Sequence, residues 1–143
     1  MAILGKFFGR KHDYPPLESS TPAAKQLETV RSPLEKLTAE TKDPLEVVPA
    51  EDSVYIFVGK PPKKFGVVWI EDGDKIVNFK SLVDEKGLSP DSLNHLSEKL
   101  RTAYIACQDK PRYVTRISDR EVVVIPSTSL FNNLKNVVEQ AVG

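Results

Sequence analysis

The strands indicated by this sequence are apolar on both faces, and this feature restricts the possible folds more than any other. At residues 54–58, 65–70 and 122–125, apolar side chains occupy consecutive positions and largely fail to alternate with polar ones. Because successive side chains of a strand point to opposite faces, a sheet of such strands needs cover on both faces. Two helices of roughly fifteen to twenty residues shield about one face of a five-stranded sheet. We therefore expect the N-terminal part of the chain, a second copy or a partner to cover the rest, unless the two helices divide between the faces.

The order of the elements predicts an α+β domain with the sequence β-β-β-α-β-β-α. Strands are indicated at residues 53–59, 65–70, 75–79, 113–117 and 121–125. Asp72-Gly73, between the second and third strands, favours a hairpin because glycine tolerates the positive φ of tight turns. Amphipathic helices begin near Ser89 and near Ser127 or Ser129. The sequence thus predicts a mainly antiparallel five-stranded sheet with two amphipathic helices.

Residues 1–50 differ in composition from residues 51–143. Six of the eleven prolines lie in this first part, and no aromatic residue occurs between Tyr14 and Tyr55. Such a segment buries too little apolar surface to offset the entropy that it loses on ordering. It is therefore predicted to be a flexible, disordered arm in front of the domain.

Three pairs of a helix-capping residue and a proline recur in this arm every eleven residues. They are Thr21-Pro22, Ser32-Pro33 and Asp43-Pro44. Such a pair is typical of a helix start, and eleven residues make about three helical turns. Two interpretations stay open: short amphipathic turns that fold on a partner or a lipid surface, or a linker with chance periodicity.

The first eleven residues suggest contact with a membrane. The candidate membrane-contact residues are Ile3, Leu4, Lys6, Phe7, Phe8, Arg10 and Lys11. As a helix, this segment is apolar on one side and basic on the other, which is typical of peripheral binding to anionic lipid. The alternative is a frayed terminus, because three turns with two glycines are marginal on their own.

Charge and cysteine content exclude several classes of protein. Basic and acidic residues number 20 each, so the formal net charge is zero, and nucleic acid is an unlikely partner because its binders usually carry a basic excess. The single cysteine, Cys107, rules out an intrachain disulfide and suits a reducing compartment. The sequence has no run of eighteen apolar residues and does not begin like a signal peptide. We expect a cytoplasmic protein, with the inner membrane face as an alternative location.

Candidate catalytic and metal-binding residues are few. Cys107 continues the apolar face of its helix at the C-terminal end, where the helix dipole disfavours a thiolate, which favours a core thiol. His95 has no second ligand near it in sequence and is expected on the surface. The acidic run at residues 71–74 lacks the rest of a calcium loop and fits a hairpin turn. With no phosphate-binding or nucleophile motif either, we expect no enzymatic activity, no cofactor and no metal.

A non-catalytic interaction, scaffold or regulatory module, bound to itself or to a partner, is the predicted function. The candidate partner-binding residues are Val54, Ile56, Leu93, Leu96, Leu100, Tyr104, Arg112 and Arg116. Arg112 and Arg116 share a strand face, and Lys60, Lys63 and Lys64 surround a Pro-Pro loop. These basic groups either receive an acidic partner, a phosphate or a lipid head group, or form a solvated face that discourages edge pairing.

The element order from residue 65 onward resembles that of the roadblock family of small-GTPase-associated regulators. The matching parts are a hairpin at 65–79, a helix at 89–107, a second hairpin at 113–125 and a helix at 127–141. Two features differ, because the domain opens with a strand instead of a helix and has two strands, not three, after the central helix. The resemblance implies a homodimer with its sheet and central helices at the interface, and a scaffold role without catalysis.

Overall fold

The structure, a computed structural model, describes residues 14–51 and 53–142 and confirms the α+β class. The helices in these ranges are α1 (Pro22–Thr29), α2 (Arg31–Glu40), α3 (Phe79–Lys86), α4 (Pro90–Ala106) and α5 (Thr128–Val142). The strands are β1 (Leu45–Ala50), β2 (Ser53–Lys60), β3 (Lys64–Glu71), β4 (Lys75–Val77), β5 (Tyr113–Ile117) and β6 (Arg120–Val124). Among these described helices, none combines the length and the apolar composition needed to cross a bilayer.

The sheet is six-stranded and mixed, with the strand order β4-β3-β2-β1-β6-β5. Neighbouring strands are antiparallel except for β1 and β6, which pair in parallel at Glu46 with Val123 and at Val47 with Val124. The prediction of a five-stranded, mainly antiparallel sheet is therefore wrong in strand number and in the direction of this central pair. The sequence does not reveal β1 because it contains Pro49, and a proline argues against a central strand.

The prediction of a disordered arm is wrong for residues 14–50. Thr21 caps α1 as the cap-proline pattern predicts, since its side chain accepts a hydrogen bond from the Ala24 amide at 3.2 Å. The second pair lies inside α2, which begins at Arg31, and the third pair leads into β1. The boundary predicted at residue 50 falls in the turn between β1 and β2, which pair along their length. Residues 1–13, with all the candidate membrane contacts, lie outside the described part of the chain.

The sheet has two buried faces, each covered by helices of the same chain. The aliphatic face packs against α1 and α2, and its buried residues are Leu27, Val30, Leu34, Leu37, Leu45, Val47, Val54, Ile56, Ile70, Ile117, Val122 and Val124. The aromatic face packs against α3, α4 and α5, and its largest buried residues are Tyr55, Phe57, Trp69, Leu82, Leu96, Leu100, Tyr104, Ile125, Leu130 and Leu134. The sequence predicts that the second face is covered by the N-terminal part of the chain, a second copy or a partner. In the described fold, the N-terminal part of the chain covers it.

The Asp72-Gly73 turn between β3 and β4 forms as predicted, with φ of 54° at Asp72 and 81° at Gly73. The strand that follows it is shorter than predicted and ends at Val77. Asn78 starts α3 instead, because its side chain accepts from the Ser81 amide while the Ser81 hydroxyl accepts from the Asn78 amide. This reciprocal cap holds the first turn of a helix that the apolar pattern does not reveal.

Candidate binding cleft

A cleft of about 900 Å³ lies at the end of the sheet where the parallel strands β1 and β6 both have their carboxyl ends. It lies between the start of α1 on one side of the sheet and the start of α5 on the other, and residues 15–18 and the start of β5 close its rim. Parallel neighbours bring their carboxyl ends to the same end of the sheet, so the residues that follow β1 and β6 start beside each other there. The parallel pairing of β1 with β6 thus places Pro49 and Glu51 near Pro126 and Ser127 in the cleft lining.

Prolines form much of the cleft lining. They are Pro15, Pro16, Pro22, Pro49 and Pro126. Three of them lie at the ends of elements, since Pro22 is the first residue of α1, Pro49 is the last but one of β1, and Pro126 follows the end of β6. A proline ring has no side-chain rotamers to lose, so this apolar wall is rigid before any ligand binds.

The rim segment is tied to β5 by backbone hydrogen bonds. The Leu17 amide donates to the Val114 carbonyl at 2.8 Å, and the Val114 amide donates to the Pro15 carbonyl at 2.9 Å. The short parallel bridge at Pro16 covers one end of an edge strand that would otherwise be open to pairing. It also fixes the chain that leads into α1 against the cleft.

The polar side chains of the cleft favour a cationic ligand. Glu18 and Glu51 are exposed carboxylates in the lining, and no described lining residue is a lysine, an arginine or a histidine. Tyr113 and Phe131 add half-buried aromatic rings, whose faces attract cations. The cleft is therefore apolar and anionic.

Two hydroxyl groups of the cleft, those of Thr21 and Ser127, cap helices. The buried Ser127 hydroxyl accepts from the Leu130 amide at 3.1 Å, and Thr21 caps α1 in the same way. Among the described lining residues there is also no cysteine, and so no thiol or imidazole to act as nucleophile or base. The lining is suited to holding a ligand by shape and charge.

The apolar candidate partner-binding residues lie elsewhere and are mostly buried in the chain's own core. Val54 and Ile56 are covered by the helices on the aliphatic face. Leu96, Leu100 and Tyr104 point into the aromatic face. Leu93 alone of this group is partly exposed. These side chains give the fold its core and leave little surface for a partner.

The two arginine candidates, Arg112 and Arg116, differ in how far their side chains are buried. Arg116 is exposed on β5, where its guanidinium donates to the Asp119 carbonyl at 3.4 Å. The Arg112 side chain is only 7% exposed, and its Nε lies 3.6 Å from Oε1 of Glu46. The idea that Arg112 offers itself to an acidic partner therefore needs correction, because its acidic partner is on β1 of the same chain.

Glu46, Tyr104 and Arg112 form a buried polar network on the aromatic face. The Tyr104 hydroxyl donates to Glu46 at 2.8 Å, and the Arg112 guanidinium lies 5.5 Å from the centre of the Tyr104 ring. Burial, and then the charge of Glu46, raises the pKa of Tyr104 to about 12. Burial also raises the pKa of Tyr55 well above its usual range. The network joins the central strand to α4, and its residues are absent from the cleft lining.

Other residues singled out from the sequence occupy unremarkable positions. Cys107 is buried on the aromatic face, as its place on the helix predicts. His95 is exposed on α4. Within the described ranges, no group of three or more potential ligand residues could hold a metal ion.

Comparison with known proteins gives no match. No family model fits the sequence, and neither a curated protein nor a solved structure is similar enough to serve as a relative. The resemblance in element order to the roadblock family stays a prediction.

Proposed function

We propose that this chain is a non-catalytic interaction module whose cleft binds a short segment of a partner protein with apolar and basic side chains. The observation that carries the proposal is the composition of the lining: five prolines and two aromatic rings beside two carboxylates, with no cationic side chain among the described lining residues. Apolar side chains fit the proline and aromatic surface, and lysine or arginine fits the carboxylates.

Size and rigidity support the same proposal. Ligand sites have volumes of about 300–1,000 Å³, so a cleft of about 900 Å³ accepts a short run of residues. The walls belong to ordered elements and to a segment fixed on β5, so little conformational entropy is lost on binding. The described lining has no thiol or imidazole, and the two hydroxyls that cap helices are already hydrogen-bonded, which favours recognition over chemistry.

The proposal is tested by titrating the intact chain with two fluorescent hexapeptides of equal apolar content. One carries leucine and phenylalanine with three lysines, and the other carries three glutamates in their place. We expect the basic peptide alone to bind, with an affinity that falls as salt rises because exposed charges are screened. Fluorescence anisotropy gives both affinities.

Two variants assign that binding to the cleft. Glu18→Lys with Glu51→Lys reverses the lining charge and should reverse the peptide preference, whereas Glu40→Lys with Glu85→Lys makes the same charge change on exposed positions outside the lining. Asn132→Trp fills the cleft from its exposed rim and should weaken binding at least tenfold. Equal binding of both peptides, or an unchanged affinity in Asn132→Trp, would contradict the proposal.

A further inference from the structure

The chain itself presents a segment of the chemistry that the cleft accepts. The turn between β2 and β3 reads Lys60-Pro61-Pro62-Lys63-Lys64, and we call it the lysine hairpin. Its three lysines are exposed, and none makes an ion pair with a described residue. Lys60 and Lys64 lie directly opposite each other in the register of β2 and β3. Like charges in this position repel, so a carboxylate from outside would relieve a cost that the free domain carries.

Arg101 of α4 fixes the shape of the lysine hairpin. Its Nε donates to the Pro62 carbonyl at 2.6 Å, and one terminal nitrogen donates to the Lys63 carbonyl at 3.3 Å. Its guanidinium also lies 5.3 Å from the centre of the Phe65 ring. Both hydrogen bonds from Arg101 to this turn go to backbone carbonyls. The backbone is therefore held in place, and the lysine side chains remain available. A presenting loop that is ordered in advance loses less entropy when it docks.

The lysine hairpin lies at the opposite end of the strands from the cleft. β2 starts beside Glu51 at the cleft edge and runs to Lys60. Eight residues of strand span about 25 Å, so the hairpin is too far from the cleft of its own chain. A second copy has no such restriction, and a net charge of zero means that two copies do not repel each other at long range.

We infer that the chain associates head to tail, with the lysine hairpin of one copy inserted in the proline-lined, acidic cleft of the next. This inference rests on the proposed function and names a second copy as the partner. Three lysines meet Glu18 and Glu51, and the rings of the Pro-Pro turn meet the apolar proline and aromatic rings of the cleft. Because the two contact surfaces differ, the contact is heterologous, and it produces a ring or an open chain of copies.

Sedimentation velocity on the full chain tests the inference. We expect the weight-average mass to at least double between dilute and concentrated samples at low salt, and to return to the monomer value at high salt. Reversing the hairpin (Lys60→Glu, Lys63→Glu, Lys64→Glu) or the cleft (Glu18→Lys, Glu51→Lys) should each leave a monomer, because like charges then meet. An equimolar mixture of the two reversed variants restores opposite charges at every contact, and its mass should rise again.

A matched variant separates the hairpin from net charge. Lys36→Glu, Lys86→Glu and Lys135→Glu make the same charge change on exposed lysines away from the hairpin and the cleft, and this variant should still associate. Melting temperatures near that of the original chain show that each variant is folded. If the original chain stays monomeric while the basic hexapeptide binds its cleft, self-association is overturned and the proposed function stands. If the chain is monomeric and the peptide also fails to bind, both are overturned. A reversed mixture that stays monomeric also overturns the inference.

Discussion

The two faces of the sheet are covered in different ways by different parts of one chain. The aliphatic face is covered by two short helices, α1 and α2, and the buried apolar cluster described there contains only leucine, isoleucine and valine. The aromatic face is covered mainly by the longer α4 and α5, and it holds Tyr55, the tryptophan and the buried network of Glu46, Tyr104 and Arg112. The aliphatic face is stabilised by non-directional apolar contacts. The aromatic face is stabilised also by ring packing and hydrogen bonds, which require a defined geometry.

This difference shows that a segment can fold over a sheet face even when its own sequence has only a weak helix pattern. Helices of eight and ten residues are marginal in isolation, and proline-rich composition suggests disorder. A few leucines that meet an apolar sheet are enough to stabilise them, because burial of apolar area does not depend on side-chain direction. Arg120 adds a fixed point, since its guanidinium donates to the backbone carbonyls of Thr41 and Asp43 and ties the α2–β1 connection to β6.

Removing the cover of the aliphatic face should have the largest effect. A chain that begins at Lys42 lacks Leu27, Val30, Leu34 and Leu37, which are all buried. Each stabilises the fold by about 1.5–3 kcal/mol, and the total approaches the whole stability of a domain, about 5–15 kcal/mol. We expect this shortened chain to bind a hydrophobic dye, to scatter light and to lose cooperative unfolding. A soluble monomer with a sharp transition would show that the two helices are dispensable.

Single truncations on the two faces should have similar, smaller effects. Leu34 is 1% exposed on the aliphatic face and Leu100 is 0% exposed on the aromatic face. Each change to alanine should lower the free energy of unfolding by about 2–5 kcal/mol. Trp69 fluorescence during denaturant unfolding provides the measurement, and this tryptophan lies on the aromatic face. Val83→Ala, at a 42% exposed position, is the control and should change stability by less than about 0.5 kcal/mol.

The position of Trp69 makes this pair informative about cooperativity. If Leu34→Ala shifts the transition that Trp69 reports, the two faces unfold as one unit. A transition unchanged in Leu34→Ala but shifted in Leu100→Ala would show that α1 and α2 detach first.

At neutral pH, Tyr104→Phe should lower the free energy of unfolding least of these changes. It removes one hydrogen bond, which lies on the aromatic face. The phenylalanine keeps the ring but loses the 2.8 Å hydrogen bond to Glu46. A hydrogen bond to a charged group contributes about 1.5–3 kcal/mol, and Arg112 remains to pair the carboxylate, so we expect a loss near the lower end. Denaturant unfolding of the two proteins measures it, and an unchanged midpoint would mean that the hydroxyl contributes nothing.

The same variant should flatten the loss of stability at alkaline pH. The phenol of an unfolded chain releases its proton near pH 10, whereas the pKa of Tyr104 in the folded chain is about 12. Above pH 10 the unfolded state therefore binds fewer protons, and the free energy of unfolding falls as pH rises. Tyr104→Phe removes this contribution and keeps that of Tyr55. Unfolding midpoints measured from pH 9 to pH 11 test this, and parallel declines in both proteins would contradict it.

Sequence patterns predict the aromatic half of the fold better than the aliphatic half. The helix that starts at Pro90, the last helix and both later hairpins follow from periodicity, cap residues and turn chemistry. β1 and α2 escape prediction because their apolar residues are few and prolines interrupt them. Their structure comes from contacts with strands distant in sequence, which no local pattern records.

The cleft was also beyond sequence reasoning. Its prolines are visible in the sequence, but the parallel pairing of β1 with β6 is what brings Pro49 and Pro126 together. Glu51 reaches the cleft through that pairing, whereas Glu18 reaches it because the preceding residues are hydrogen-bonded to Val114 of β5. By contrast, the lysine hairpin is visible in the sequence as a Pro-Pro turn between basic residues.

The parallel contact also has a consequence for synthesis of the chain. Strand β1 is made early, but its neighbour β6 ends at Val124, close to the C-terminus. While the ribosome works through the residues between them, the nascent sheet has an open side along β1, which is a place for unwanted pairing with other chains. Such distant pairing also slows the search for the native topology. Because Pro49 has no backbone amide, β1 has one fewer donor to offer an intruding chain during that interval.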